Sequence, residues 1–294
     1  MSVVNKSFKT IEEQIDLLKS RNLSVKNEEA AKAFLLNNNY YRISGYSLTL
    51  RENDDFKNIY DFQDIVDIYK CDWEMRYCIL KYLEIIEVRI KLLYAYEFAQ
   101  LYDAYDYKNG RYFDDEQKHQ EIIEKADIQK EKRLQHEAYL KHYVNDLQSE
   151  IPIWAYVDLF TISDISFLYS ISRSELKKKI SSYYGLNHTR KDLLSAYLKS
   201  MTIIRNICAH GGRLYNRLFE QKPSLSKNEK QLLIKGDNNN IDNAHLYGYI
   251  LIMRRLLLTE EFDALKKGII KISSDYSFVD MKYYGFRNDW TEKL

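Results

Sequence analysis

The sequence predicts an all-α fold, and three of its features carry that prediction. Only 9 Gly and 2 Pro occur in 294 residues, so few turns can depend on a positive φ or on a locked φ. Apolar residues recur every three or four positions over long segments, which is the spacing of a helix that buries one face. The hydrophobic fraction of 45% is enough for a large core. Together these features disfavour β-sandwiches, β-barrels and Rossmann folds.

The charge and the cysteines narrow the possible functions. A net charge of +1 gives no general attraction to nucleic acid or acidic lipid, so any site for a polyanion must be a local patch. Cys71, Cys78 and Cys208 form no CxxC pair and have no histidine at metal-ligand spacing, which argues against disulfides and bound metal. The sequence shows no secretion signal and no apolar run of about 18 residues. We therefore expect a cytoplasmic protein that binds no cofactor, no metal and no membrane.

Residues 1–59 are predicted to form a small N-terminal helical lobe. A capping-box pattern at Thr10 begins a helix over about 11–21. Asn27 can cap a second helix. The aromatic stretch 40–46 that follows is too short and too irregular for an assignment.

Residues 60–222 are predicted to form a helical core. The segment 61–102 has no Gly or Pro and keeps helical spacing throughout. It is one helix or two nearly continuous helices, with a length of roughly 60 Å at about 1.5 Å per residue. The segment 111–150 is rich in charged residues and is predicted to be a helical hairpin inserted into the core. Such a hairpin is either a solvated surface element or a dedicated binding arm.

Further helices complete the core, and a helical extension follows it. Pro152 suits the N-terminus of a helix. The remaining core helices are predicted over about 152–171, 174–183 and 192–207. In the C-terminal extension, residues 223–294, helices are predicted near 227–235 and 242–258, and the tail from 272 onward is ambiguous.

The helix that begins near Asp192 carries the residues of greatest chemical interest. On a helical wheel, Arg205 falls inside an apolar stripe, where a guanidinium is costly unless it meets a carboxylate, a phosphate or a cleft. Asn206 and His210 lie four residues apart and can touch. Gly211-Gly212 can end the helix or let another backbone come close. These residues are either a salt-bridged arginine and a capping histidine with a structural role alone, or parts of a site.

A resemblance to a known family favours the second alternative. The sequence RNICAH at 205–210 is similar to the Arg-x(4–6)-His signature of the HEPN superfamily of helical ribonucleases. Further blocks resemble the Abi-like abortive-infection family, which includes AbiD and AbiF. These blocks are TIEEQIDLLKSRNL, NNNYYRISGY, FQDIVDIYKCDWEMR, LEIIEVRIK, IPIWAYVDLFTISDISFLY and RNICAHGGRLYNR. They follow the family order from about residue 8 to 218; the sequence departs at Gly211-Gly212, where other members often have bulkier residues, and after about 225, where no block matches.

The resemblance implies an HEPN-like helical bundle in an antiviral, toxin-like protein. It implies a metal-independent endoribonuclease that acts as a homodimer and is controlled by a small structured RNA. His210 would be the acid and base, Arg205 would stabilise the transition state, and Asn206 would position His210 or the phosphate. The alternative is a non-catalytic module that holds RNA in the same helical cleft.

Further residues are candidates for supporting or binding roles. Glu84 and Glu87 belong to an ion ladder with Arg76 and Lys91 along the long helix, or one of the two glutamates orients Arg205. The candidates for RNA binding are Arg213, Arg217, Arg42, Tyr40 and Tyr41. The tyrosines of the 40–46 stretch either stack unpaired bases or dock the N-terminal lobe.

A homodimer is also expected from helical geometry. Side chains five residues apart on an ideal helix diverge by about 140°, so Arg205 and His210 of one chain make a poor cleft. Two copies related by a two-fold axis would join their motifs in one cleft. The seam is predicted to contain the end of this helix, with Met201, Ile204 and Cys208 as its dry contact.

Overall fold

The predicted all-α fold is confirmed by a computed structural model. The structure describes residues 7–57, 60–186, 192–235 and 242–294. Within these ranges helices dominate, and the sheet consists of two short antiparallel strands, β1 (Arg51–Glu52) and β2 (Asp55–Phe56). No pattern in the sequence is strong enough to predict this hairpin.

Residues 7–57 contain three α-helices. They are α1 (Ile11–Ser20), α2 (Glu28–Asn37) and α3 (Tyr40–Tyr46). The predicted capping box is present, because the Glu13 N–H donates to the Thr10 hydroxyl and the Thr10 N–H donates to the Glu13 carboxylate. Asn27 caps α2 as predicted. The unassigned aromatic stretch is helix α3, which buries Ile43 and Tyr46.

Helix α4 (Phe62–Leu101) is the backbone of the molecule. It is one continuous helix of 40 residues, so the prediction of a long helix is confirmed and the choice between one helix and two is settled. Asp61 caps its N-terminus. Its buried side chains recur on several faces, because other helices pack around it along its length.

The charged segment 111–150 has two helical arms of unequal length. Helix α5 (Glu116–Arg133) is regular and buries His119, Ile122, Ile123 and Ala126. The second arm is also helical but shorter, since the single turn α6 (Ala138–Lys141) continues directly into a π-helical turn over His142–Asp146. The second arm buries little besides Leu140, and a short helix with so little packing is marginal.

The segment 152–171, predicted to be one helix, is two. Helix α7 (Ile153–Tyr156) passes through a 3₁₀ turn and ends before α8 (Ile162–Ile171). The break occurs at Thr161, which forms a capping box with Asp164 and so begins a new helix. Helices α9 (Ser174–Ser182) and α10 (Leu193–Ala209) follow as predicted, with Asp192 capping α10.

The C-terminal region contains a helix over Thr259–Asp275 that was not predicted. The elements of this region are α11 (Lys227–Lys230), α12 (Leu246–Leu256), α13 (Thr259–Asp275), a 3₁₀ turn over Met281–Tyr284, and α14 (Trp290–Lys293). Helix α13 packs along α4, where Arg89 donates to Glu261 at 2.6 Å. A Cβ at Gly268 would lie 2.8 Å from the Cys78 sulfur, so glycine is needed for this close approach.

A single apolar core runs from Ile15 in α1 to Leu294 at the C-terminus. It crosses both predicted domain boundaries, at 59/60 and 222/223, and these boundaries stay predictions. Within the described ranges, no helix is both long enough and apolar enough to cross a membrane.

Candidate functional site

The end of α10 is built by the two glycines that follow His210. His210 is the C-cap, and Gly211 adopts the left-handed conformation with φ +66°. The Gly212 N–H donates to the Ile207 carbonyl at 2.7 Å, and the Gly211 N–H donates to the Cys208 carbonyl at 3.1 Å. This pair of bonds is a Schellman motif, which needs a residue that tolerates positive φ. Of the two roles open to Gly211-Gly212, helix termination is the one observed.

Arg205 meets a carboxylate, which is one of the three partners that its position in an apolar stripe allows. Its Nε lies 3.5 Å from Oε2 of Glu87 on α4, while Lys91 Nζ lies 3.1 Å from the other carboxylate oxygen. Glu87 and Lys91 are largely buried, and the Arg205 side chain is 34% exposed. This ion pair is the salt bridge expected if Arg205 has a structural role alone. It also fixes the guanidinium at the surface near the end of α10.

The other members of the expected ion ladder lie elsewhere. Glu84 is exposed and has no ion pair with any described residue, so it does not orient Arg205. Arg76 turns into the core and pairs with Asp72 instead of with a glutamate. Only the step between Glu87 and Lys91 matches the predicted ladder.

Asn206 and His210 are both exposed at the end of α10. The expected side-chain contact between them is not formed; the bond that joins them is the donation from the His210 backbone N–H to the Asn206 carbonyl at 3.0 Å. Neither side chain hydrogen-bonds to another residue in the part of the chain that the structure describes. Both are therefore open to a ligand.

Three arginines surround the loop that follows His210. Arg42 of α3 donates to the Gly211 carbonyl and lies 5.7 Å from the Tyr69 ring centroid. Arg213 donates to the Tyr215 carbonyl at 2.8 Å, and Arg217 donates to the Arg213 carbonyl at 3.4 Å. The structure thus brings the basic candidates from α3 and from the loop to one end of α10.

The aromatic candidates on α3 divide between two roles. Tyr46 is fully buried against α4, so this stretch does dock the N-terminal helices on the core. Tyr40 is half-buried, whereas Tyr41 is exposed at the surface beside Arg42. Tyr41 is the member of the stretch best placed to contact a base.

The most connected residue near the site is one that sequence reasoning missed. Asp72 of α4 is fully buried and accepts hydrogen bonds from the backbone N–H of Leu214 at 3.2 Å and of Tyr215 at 2.7 Å. Its further donors are the hydroxyls of Tyr46 and Tyr284 and the guanidinium of Arg76. Asp72 therefore ties α3, α4, the loop after His210 and the C-terminal region together. The signal in the sequence was an acidic residue at a core position of α4 with an arginine four residues later.

Cys208 lies on the site helix but is not a nucleophile. It is buried, and burial raises the pKa of its thiol to about 12, so the thiol stays protonated at neutral pH. No cluster of His, Cys, Asp and Glu suited to a metal ion occurs in residues 7–57, 60–186, 192–235 and 242–294.

The apolar contact predicted for a dimer seam is wrong in its residues. Met201 and Ile204 are fully buried, and Cys208 is buried as well, in the protein's own core. A side chain that already fills the core cannot also cover a partner. Any homodimer must take its apolar contact from other side chains, and the placement of the seam at the end of α10 stays a prediction.

The comparisons with known proteins bear on this arrangement. The family model described as Abi-like protein matches residues 33–216, which is more than half of the chain. The matched range includes α3, the whole of α4, α10 and the loop held by Asp72. No curated protein and no solved structure has a significant match to the chain. On the extent of the family match, the chain belongs to the Abi-like protein family.

Proposed function

We propose that this protein acts in abortive infection as a metal-independent endoribonuclease of the HEPN type. The observation that carries the proposal is the arrangement at the end of α10. There Arg205 is held by Glu87, His210 is exposed, and Arg42 donates to the carbonyl of the next residue, Gly211, with Arg213 and Arg217 in the loop that follows.

The site does not have to supply a nucleophile for RNA cleavage, because the 2′-hydroxyl of RNA is the nucleophile. His210 takes the proton of the 2′-hydroxyl, whose oxygen then attacks the adjacent phosphorus. The bond from phosphorus to the 5′-oxygen breaks, and that oxygen receives a proton from a second acid. Arg205 stabilises the negative charge that develops on the phosphate oxygens. Asn206 positions the phosphate or the imidazole.

The arginines supply the affinity for RNA. Arg42, Arg213 and Arg217 line one end of α10, and each uses part of its guanidinium for a backbone carbonyl. The remaining N–H groups can contact phosphates. Tyr41 can stack an unpaired base, and Tyr40 supports it through an edge contact between rings, with centroids 5.9 Å apart.

The proposal includes a second copy of the chain and a controlling RNA. Two His210 side chains supply both the base and the acid that the reaction needs. A small structured RNA can occupy the same basic surface and restrain the enzyme until infection. The alternative, RNA binding without cleavage, uses the same residues, and a cleavage assay distinguishes the two functions.

The purified protein is expected to cleave single-stranded RNA in excess EDTA. The products should carry a 2′,3′-cyclic phosphate and a 5′-hydroxyl, because the 2′-hydroxyl is the nucleophile. End analysis of the fragments measures this, and the activity must elute with the protein in gel filtration. A requirement for added divalent metal would contradict the mechanism, and tight binding without any cleavage would favour the non-catalytic module.

The affinity for RNA is expected to fall as the salt concentration rises. The slope of log affinity against log salt should reflect only a few phosphate contacts. Replacing Arg213 and Arg217 by alanine should reduce the slope of log affinity against log salt by up to about 0.7 for each phosphate that the protein no longer neutralises. Filter binding at several salt concentrations measures the slope. The matched control replaces Lys118 and Lys132 of α5 with alanine. If only the α5 variant lowers the slope, the RNA lies on the charged segment instead.

A further inference from the structure

The long helix α4 presents one exposed stripe from end to end. It is formed by Lys70, Trp73, Tyr77, Lys81, Glu84, Val88, Leu92 and Tyr96, here called the α4 stripe. Its five large apolar side chains are between 44% and 63% exposed. Exposed apolar side chains are normal when scattered, but a row of them along one helix marks an interaction surface.

The spacing keeps the α4 stripe on a single face. From Lys70 to Leu92 successive members are three, four and four residues apart, which repeats every eleven residues and stays close to the helical period, and Tyr96 follows four residues later. Neighbouring helices flank the stripe without covering it. Glu87, which contacts α10, and Arg89, which contacts α13, each project about 100° from Val88, on opposite sides.

We propose that the α4 stripe is the interface for a second copy of this chain, with the two α4 helices antiparallel. If a two-fold axis passes between residues 82 and 83, Trp73 faces Leu92 of the second copy, and Tyr77 faces its Val88. Lys81 then faces Glu84 of the second copy. Every pairing occurs twice, because the two-fold axis makes the contact self-complementary.

The contacts within one chain fit this pairing. Neither Lys81 nor Glu84 has an ion-pair partner among the described residues, and the pairing supplies one to each. A groove of about 450 Å³ beside Val88 and Leu92 is open where the aromatic rings of the second copy would enter. Those rings, Trp73 and Tyr77, already pack on each other with centroids 4.6 Å apart. Large preordered aromatic side chains are the usual anchors of protein interfaces.

The charge pattern selects a second copy and an antiparallel direction. A parallel pair would place Lys81 beside Lys81 and Glu84 beside Glu84, which is repulsive. The antiparallel pair replaces both repulsions with two attractions. Trp73, Tyr77 and Lys81 lie on one side of the midpoint of the stripe, and Glu84, Val88 and Leu92 lie on the other. An unrelated partner would have no reason to carry the arrangement that complements both halves.

The same axis bears on the site, and this step rests on the proposed function. Helix α10 runs antiparallel to α4, since Arg205 contacts Glu87 while Leu214 contacts Asp72. His210 therefore lies between the levels of Glu87 and Asp72 along α4. A two-fold axis perpendicular to both α4 helices keeps both copies of α10 on one side. The two His210 residues therefore lie on one face of the dimer, related by the axis.

The test reverses the charge of Lys81 or of Glu84 and measures dimerisation by sedimentation in the absence of RNA. The unmodified chain should dimerise, and Lys81→Glu or Glu84→Lys should each raise the dissociation constant by about 30-fold or more, because each creates two like-charge pairs. An equimolar mixture of the two variants should dimerise again, since the heterodimer restores both ion pairs. The double variant on one chain should dimerise for the same reason.

The control is Ile128→Glu on α5, which adds a charge at another exposed apolar position and should leave the dimer intact. A chain that stays monomeric at high concentration would overturn the proposal, as would a dimer unaffected by either charge reversal. Both results concern assembly alone. They are distinguishable from a failure of RNA cleavage, which is measured separately.

Discussion

Replacing His210 with alanine is expected to lower the rate of RNA cleavage by about 10²-fold or more, the usual contribution of a positioned acid or base. The ring is exposed at the end of α10 and hydrogen-bonds to no residue in the described ranges. Its removal should therefore leave the fold intact. The loss should appear in the single-turnover rate, while RNA affinity and Tm stay close to those of the unmodified protein.

The matched control is His136→Ala. His136 is also exposed and also lacks a side-chain hydrogen bond to a described residue, but it follows α5 and is remote in sequence from the motif. The His136→Ala variant should cleave RNA at the full rate. His210→Gln separates proton transfer from hydrogen bonding, since glutamine can bind a phosphate but cannot act as a base. Full activity in the His210→Ala variant would remove His210 from the mechanism and leave RNA binding as the function.

The features predicted correctly from the sequence are those set by neighbouring residues. Thr10 with Glu13, Asn27 and Asp192 each act within one turn of the helix they cap, so a local pattern is sufficient. Arg205 was predicted to need a carboxylate, a phosphate or a cleft because its helical position is apolar, and Glu87 provides a carboxylate. The physical need could be inferred locally, although the choice between Glu84 and Glu87 could not.

The features that were missed depend on contacts between distant segments. Asp72 receives donors from Tyr46, Leu214, Tyr215 and Tyr284, and no spacing rule links positions so far apart. The burial of Met201 and Ile204 likewise follows from how α10 packs on α4 and α8. A wheel shows which side chains share a face, but it does not show whether a face meets the core or a partner.

Replacing Asp72 with alanine is expected to lower the free energy of unfolding by about 3–5 kcal/mol, which is the cost of leaving one member of a buried ion pair without its partner. Arg76 is only 3% exposed and would keep its charge inside the core. The N–H groups of Leu214 and Tyr215 would also lose their acceptor. Because total stabilities are about 5–15 kcal/mol, this is a large share. Urea unfolding followed by circular dichroism measures it.

Asp275→Ala is the control for this variant. Asp275 also pairs with a basic residue four positions away, Lys271, but the pair lies on the exposed surface of α13, where an ion pair contributes little. Its loss should change the unfolding midpoint only slightly. Equal effects from the two variants would mean that Asp72 does not hold the core together.

A double variant separates the buried charge from the hydrogen bonds. In Asp72→Asn with Arg76→Met, the amide oxygen can still accept from the backbone of the loop, and no charge is left in the core. Replacing both members of a buried ion pair costs much less than breaking it, so this variant should be more stable than Asp72→Ala. It should also keep the loop after His210 in place, because the acceptor for Leu214 and Tyr215 remains. If the double variant is no more stable than Asp72→Ala, neither the unpaired charge of Arg76 nor the lost acceptor for Leu214 and Tyr215 accounts for the cost of Asp72→Ala.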